Sequence, residues 1–280
     1  MSNKLSFSQV NKYGMCPKSF QHHYIDKLRP TTFSAALAFG SALDVALNVL
    51  LMEPDKSAEE SFIKEFTNQK VNDVDSFLPA DINLMYAATD IDLELVLPED
   101  MVKIAHIDYA SLAKKKKDVG IDNMTTDERK DYNLCNWMSL KAKGLLMLKV
   151  YRKKVLPKIL KVHAVQKYVE VSNTVGDKVI GYVDLIADIE GHGTVVLDHK
   201  TSAREYDDAA VLTSPQLTLY MHILEEEYKT RKAGFIVLRK TVVKNRKKTC
   251  SKCGHDGSGG RAKTCDNEIA GKRCGGEWRE

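Results

Sequence analysis

Residues 181–200 read Gly-Tyr-Val-Asp-Leu-Ile-Ala-Asp-Ile-Glu-Gly-His-Gly-Thr-Val-Val-Leu-Asp-His-Lys. Asp184, Asp198 and Lys200 are the residues in it whose types suit chemistry. Two bare carboxylates held close together repel unless a cation lies between them or one keeps its proton. Oxygen ligands with open positions suit Mg²⁺ or Mn²⁺. Such an ion polarises a phosphate and lowers the pKa of bound water, and a lysine beside it offsets developing negative charge. The pattern therefore suits phosphodiester cleavage. The plainer alternative is a surface hairpin whose Asp and Lys residues form weak ion pairs.

For the three to meet, the segment must fold back on itself. Residues 179–189 and 194–197 are rich in β-branched and aliphatic side chains, and Glu190-Gly191-His192-Gly193 supplies two glycines for a tight turn. Folding there sets Asp184 opposite residues 198 and 199. Asp198 and Lys200, two apart, share one face of their strand, and His199 points to the other, where packing is its expected role.

Around this hairpin further elements can be read. Ser6-x-x-Gln9 is a capping box opening a short helix that Gly14 is expected to end. Pro17 starts another, with Phe20 and Tyr24 one turn apart. Residues 35–52 are an Ala/Leu-rich helix, apolar on most faces and therefore buried. Residues 53–122 are irregular and charge-rich, with helical pieces such as 57–68. Thr125-x-x-Glu128 caps a long helix reaching about residue 156. Strands follow near 162–172, 178–189 and 194–200, then a helix near 215–229 and a strand at 234–238. Stripped of insertions the order is αβββαβ, an α/β class.

Composition bounds the rest. The chain has 280 residues, 43% hydrophobic and 29% charged, with a net charge of +4. These values are ordinary for a globular protein. No apolar run approaches the ~20 residues of a bilayer span, and Met1 to Ser6 lacks the apolar core of a signal peptide. A cytoplasmic location and no membrane partner are expected. Basic stretches at Lys114 to Lys117 and from Lys141 to Lys161 could track phosphates, or form solvated helix faces. No phosphate-binding Walker A motif or helicase motif is present, so ATP-driven unwinding would need a partner such as a helicase or recombination protein.

The C-terminal segment carries Cys250-Ser-Lys-Cys253, Cys265 and Cys274. Thiolates paired by a short turn suit tetrahedral Zn²⁺, which can staple a glycine-rich segment that lacks a core. Eight residues separate the second pair, which is wide, and His255 could replace one ligand. Cys135, alone in the long helix, is expected in the core. His22 and His23 are expected at the surface.

Taken in order, several motifs resemble RecB-like nucleases of the PD-(D/E)xK superfamily, close to phage exonucleases and CRISPR-adaptation nucleases. They are Leu5-Ser6-Phe7-Ser8 with Cys16-Pro17-Lys18-Ser19-Phe20, Phe39-Gly40-Ser41-Ala42-Leu43-Asp44, Glu170, Gly181-Tyr182-Val183-Asp184, Asp198-His199-Lys200-Thr201, and Gln216-Leu217-Thr218-Leu219-Tyr220. The resemblance covers about residues 5–240. It implies a restriction-endonuclease-like core at 1–240, with an N-terminal helical elaboration and an insertion at 53–122, followed by a zinc-ribbon-like appendage at 245–280.

It also implies roles. Asp184 and Asp198 would be Mg²⁺ or Mn²⁺ ligands and Lys200 the catalytic lysine. Gln216 and Tyr220 would face the site and contact DNA or order the lysine, and Glu170 would lie near it or be an exposed strand carboxylate. Many relatives have His where this chain has Asp44, which remains a competent hard-metal ligand in an apolar helix. Cys250, Cys253, Cys265 and Cys274 would hold zinc. The rival is an iron–sulfur cluster, which relatives build from the Cys of the Cys-Pro motif, here Cys16, and three C-terminal cysteines; the four downstream cysteines fit a zinc ribbon better. Otherwise Cys16 is a small buried hydrophobe. The implied activity is that of a metal-dependent DNA exonuclease, single-strand-preferring, in phage or bacterial recombination, replication or repair. The alternative is an inactive DNA- or partner-binding module on the same fold.

Overall fold

A computed structural model describes residues 4–28, 35–66, 93–172, 177–202, 206–240, 247–253, 256–258, 268–269, 272–274 and 278–279. The chain divides into two compact units, Met1–Leu238 and Arg239–Glu280.

The first unit is built on a mixed sheet. Its strands are β1 (Lys4–Ser6), β2 (Ile159–Ser172), β3 (Lys178–Ile189), β4 (Gly193–Ser202) and β5 (Ala233–Arg239). β3 is central: β2 runs antiparallel along its full length, from Ile159 opposite Ile189 to Ser172 opposite Lys178. On the other edge of β3, β4 pairs antiparallel only from Leu185/Leu197 to Ile189/Gly193. Further along that strand β1 pairs with it in parallel, at Lys178 to Ile180. β5 lies next to β4. The turn between β3 and β4 has positive φ at Gly191 and Gly193, the conformation glycine adopts without a Cβ penalty.

Helices cover both faces, as a sheet with two apolar faces requires. On one face α9 (Pro215–Tyr228) packs Tyr220 and Leu224 onto Val169, Val183, Ile186 and Val196. On the other, Leu185, Ala187, Val195 and Leu197 meet Leu51 from α3 (Ala35–Met52). Behind α3 lie α4 (Ala58–Glu65) and the 29-residue α7 (Thr126–Lys154). Phe39, Phe62, Phe66 and Trp137 form an aromatic stack there, with Phe66 and Trp137 centroids 4.0 Å apart. Gly144 permits it: a Cβ at that position would stand 2.1 Å from the Phe62 ring.

The remaining elements are α1 (Phe7–Met15), α2 (Pro17–Phe20), a π turn at Gln21–Ile25, α5 (Pro98–Ile104), α6 (Tyr109–Val119) and α8 (Asp208–Leu212). Both expected capping boxes form, at Ser6/Gln9 and Thr125/Glu128. The Phe20 and Tyr24 rings lie 5.1 Å apart.

Four readings need correction, and one strand is added. Gly14 does not end α1, which runs to Met15 and is closed when the Cys16 amide donates to Lys12 O. Residues 4–6 form a strand, β1, too short to show a periodicity. The helix read as 57–68 ends at Glu65, where the Phe66 amide donates to Phe62 O. Cys16 is exposed, not buried; its Sγ accepts the Ser19 amide at 3.5 Å as the cap of α2. Finally, α3 has 18 residues and a mean hydropathy of 1.8, enough by length and composition to cross a membrane. Here it is a core helix, with Phe39, Leu43 and Leu47 at 1% exposure or less. Cys135 is buried beside Val96 and Ile104. Of the insertion read at 53–122, residues 67–92 lie outside the described residues.

The second unit has a three-stranded sheet of β6 (Lys247–Cys250), β7 (Asp256–Ser258) and β10 (Trp278–Arg279), and a pair of β8 (Glu268–Ile269) with β9 (Lys272–Arg273). β10 sets Trp278 opposite Cys250.

Candidate active site

The site forms where the sheet forks. β3 and β4 stop pairing beyond Leu185/Leu197, so the next residues on each strand, Asp184 and Asp198, face each other at the open end of the ladder. A cleft of about 400 Å³ opens there, lined among others by Asp44, Asp184, Asp198, His199, Lys200 and Gln216. Asp44 comes from α3, and Gln216 from α9.

The hydrogen bonds show how the groups are held. Asp184 Oδ2 accepts the His199 backbone amide at 2.7 Å. Lys200 Nζ stands 2.6 Å from Asp198 Oδ2, and 5.7 Å above the centre of the Phe235 ring. Gln216 links three partners: its Oε1 accepts Lys200 Nζ at 3.3 Å, and its Nε2 donates to Asp198 Oδ1 at 2.9 Å and to the Tyr220 hydroxyl at 3.1 Å. Tyr220 is 2% exposed and donates to Tyr182 O at 2.9 Å. Gly181 makes room for it, since a Cβ there would stand 2.9 Å from the Tyr220 ring. On this helix Gln216 contacts Lys200, and Tyr220 contacts Gln216.

Electrostatics follow from crowding. Burial and then the Asp198 charge push the Asp184 carboxyl up to about 7. The same two causes raise Asp44, while Gln166 opposes them. Burial raises Asp198 against the pull of Lys200. Three raised carboxyls thus meet in one cleft, with Lys200 paired to Asp198.

His199 lies on the face of β4 away from Asp198, as alternation requires, and packs there against Tyr151 of α7, yet it also lines the cleft. One of its ring nitrogens lies within 4.8 Å of ligand oxygens of Asp44 and Asp184. Its Nε2 meets the Tyr151 hydroxyl at 3.0 Å, and its Nδ1 is buried without a hydrogen-bond partner. Burial, aided by Lys200, lowers its pKa to about 4. The ring is therefore neutral near pH 7, as a ligand nitrogen must be.

Gln166 is the second residue the sequence reading missed. It stands opposite Asp184 in the ladder, between the Val165/Leu185 and Lys167/Val183 pairs. Its Nε2 donates to both Asp44 oxygens, at 3.0 and 3.2 Å, and to Asp184 at 3.3 Å. Its φ of +49° is a left-handed conformation that costs a non-glycine residue roughly 1–3 kcal/mol. An amide in a strand gives no signal in sequence that it will bridge two carboxylates.

Glu170 is not joined to this cluster by any described contact. It is bound instead to Lys178, Lys4 and the Tyr168 hydroxyl, and the Lys178 and Tyr168 hydrogen bonds draw its pKa down to about 2. The basic run is also partly consumed: Lys115 pairs with Glu128, Lys141 with Asp100 and Arg152 with Glu59, while Lys143 is buried. His22 pairs with Asp26 at the surface.

In the second unit Cys250, Cys253 and Cys274 bring their Sγ atoms within 4.8 Å of one another, and Cys250 and Cys274 are 3.6 Å apart. Tetrahedral zinc with bonds of about 2.3 Å needs a sulfur–sulfur edge near 3.8 Å. Desolvation opposes ionisation of Cys250, but the Lys252 and Cys253 amides and the neighbouring thiols draw it down to about 6. Cys265 and His255 lie outside the described residues.

Comparison with curated proteins gives no match. The family described as the PD-(D/E)XK nuclease superfamily matches residues 4–258. With that match spanning most of its length, and a mixed α/β sheet consistent with that fold, the chain belongs to the PD-(D/E)XK nuclease superfamily.

Proposed function

We propose that this protein is a Mg²⁺- or Mn²⁺-dependent DNA exonuclease that prefers unpaired strands and acts in phage or bacterial recombination, replication or repair. The observation that carries the nuclease reading is the meeting of Asp44, Asp184, Asp198 and Lys200 in one cleft at the sheet fork. Exonuclease action, strand preference and biological setting rest on the resemblance to phage exonucleases.

The residues fit a divalent ion. Asp44, Asp184 and His199 offer ligand atoms within 4.8 Å of one another. Ligand distances of about 2.0–2.2 Å span nearly that far across one ion. The carboxylates suit Mg²⁺ or Mn²⁺, and the orphaned His199 Nδ1 favours the ion more tolerant of nitrogen, Mn²⁺. When bound, the ion would supply Lewis-acid polarisation of the phosphate and a more acidic water.

The chain's own residues do the rest. Asp184 is fixed by the His199 amide, and Asp198 by Gln216. Lys200, held by Asp198, Gln216 and Phe235, places an ammonium where it can donate to an attacking water or to a charged phosphate oxygen. Tyr220 and Gly181 keep Gln216 in register with both. A pure DNA-binding module has no use for this crowding of raised carboxyls around one lysine.

The test is incubation of the protein with end-labelled single- and double-stranded DNA in Mg²⁺, Mn²⁺ or EDTA, beside Lys200→Ala. Degradation that needs metal and is lost in the variant is expected, with a product ladder that gives polarity. Cleavage by Asp198→Ala at the parental rate would sink the reading.

The second unit is proposed to bind one structural zinc through Cys250, Cys253 and Cys274, with Cys265 as fourth ligand. Metal analysis should find one zinc per chain, lost with Cys274→Ser. Iron and a visible absorption band would instead indicate an iron–sulfur cluster that includes Cys16.

A further inference from the structure

Beyond the fork, the face of β2 and β3 that carries Gln166 and Asp184 continues into two exposed aromatic residues. Tyr182 is 56% exposed and Tyr168 is 42% exposed. They are directly opposed across the β2–β3 ladder, and their rings meet at 63° with centroids 5.5 Å apart. Their alternate neighbours fix the face: Gly181 backs onto Tyr220 of α9, and Val169 and Val183 lie in the core beneath that helix. The tyrosines therefore project on the side away from α9, as Asp184 does. Tyr182 is two residues from Asp184, about 6.5–7 Å along an extended strand.

The tyrosines are held rather than loose. The Tyr168 hydroxyl donates to Glu170 at 2.7 Å, and Glu170 also binds Lys178 and Lys4. Lys4 stands 6.0 Å above the Tyr168 ring and is 57% exposed. Two ammonium groups against one carboxylate leave the patch with a net positive charge.

We infer that Tyr168 and Tyr182, flanked by Lys4 and Lys178, form a base-stacking platform that holds an unpaired DNA strand beside the acidic cleft. Every base has a π-face, so stacking on such rings is tolerant of sequence, while nearby cations follow the phosphates. A paired base is already stacked on its neighbours and has no free face, so the platform selects single strands. The inference rests on the nuclease reading for its purpose, and it gives that reading a physical origin for strand preference. Glu170 acquires a role here as the residue that fixes Tyr168 and both lysines.

The test is the affinity of the full chain for fluorescein-labelled (dT)15 and for a blunt hairpin duplex of equal charge, by anisotropy in EDTA so that no cleavage intervenes. Loss of one stacked base is expected to weaken binding roughly 5- to 100-fold. The Tyr168→Ala/Tyr182→Ala double variant should therefore lose at least about tenfold for (dT)15 and stay within twofold for the duplex. Tyr182→Phe should bind as the parent does. Both tyrosines are surface residues, so the melting temperature should hold; if the double variant fails to fold, Tyr182→Ala alone carries the measurement. Binding of (dT)15 within twofold of the parent would overturn the platform, as would equal losses for both DNAs. The two readings fail separately: stacking with no metal-dependent cleavage removes the nuclease, and cleavage with unchanged (dT)15 affinity removes the platform.

Discussion

Two carboxylate sites in this molecule are built in opposite ways. Asp100, on α5, is fully buried and meets two lysines, Lys103 and Lys141, each at 2.7 Å. Burial pulls its pKa upward, but the two lysine hydrogen bonds outweigh it and leave the pKa lowered. At the sheet fork Asp44, Asp184 and Asp198 crowd one cleft, Lys200 is the one cation among its described lining residues, and all three carboxyls are raised. The first arrangement neutralises its charge within the fold. The second leaves an excess of negative charge facing a cleft, which is costly unless protons or a cation arrive. That difference separates a structural ion pair from a site made to bind something.

The largest expected effect tests the two kinds of lysine. Lys200→Ala should lower the rate of DNA cleavage by about 10³-fold, with little change in melting temperature. Lys141→Ala should destabilise the fold and leave the rate per folded molecule within about threefold. If the two variants lose activity alike, the contrast is wrong.

Next come the carboxylates. Asp100→Ala should cost about 2–4 kcal/mol, near the lower end for a broken buried pair because Lys103 reaches solvent. Asp44→Asn should do the reverse in EDTA, leaving stability unchanged or higher by relieving like-charge repulsion, while weakening Mn²⁺ binding at least about tenfold. Urea titrations with and without Mn²⁺ measure both. A drop in stability for Asp44→Asn equal to that of Asp100→Ala would remove the distinction.

The smallest effect is on pH. Asp184 keeps its proton up to about pH 7, against an ordinary value of 3.8. The raised folded value stabilises the metal-free protein fully below pH 3.8, and that contribution is lost as pH rises through 7. In EDTA the protein should thus become more stable as pH falls from 8 to 5.5. Metal must displace that proton, so apparent Mn²⁺ affinity should fall by about tenfold per pH unit below 7. Calorimetric titration at pH 8, 7 and 6 checks this. A flat profile would mean that Asp184 is already ionised without metal.

Much of this arrangement was legible in the chain. The two capping boxes, the glycine turn and the aliphatic runs of β3 and β4 are local signals, governed by residues a few positions apart. They set Asp184 opposite Asp198, and the spacing of Gln216 and Tyr220 puts both on one helical face. Less visible were β1, whose three residues form a strand only because β3 offers an edge far away in sequence, and the overlong reading of α4, which ends where its last amide is satisfied by Phe62.

What the sequence determined by itself is the inventory and the pairing: a hairpin carrying two aspartates and a lysine, a buried helix with one aspartate, and clustered cysteines. Short-range backbone rules suffice for that. Only the tertiary structure decided that β3 and β4 part after Leu185 and Leu197, so that side chains from both faces of β4 reach one cleft. That fork admits His199 and Gln166 to the site and sends Glu170 to Lys4 and Lys178 instead. No local pattern encodes it, because it depends on which strands pair with each stretch of β3: β4 along Leu185 to Ile189, and β1, far away in sequence, along Lys178 to Ile180.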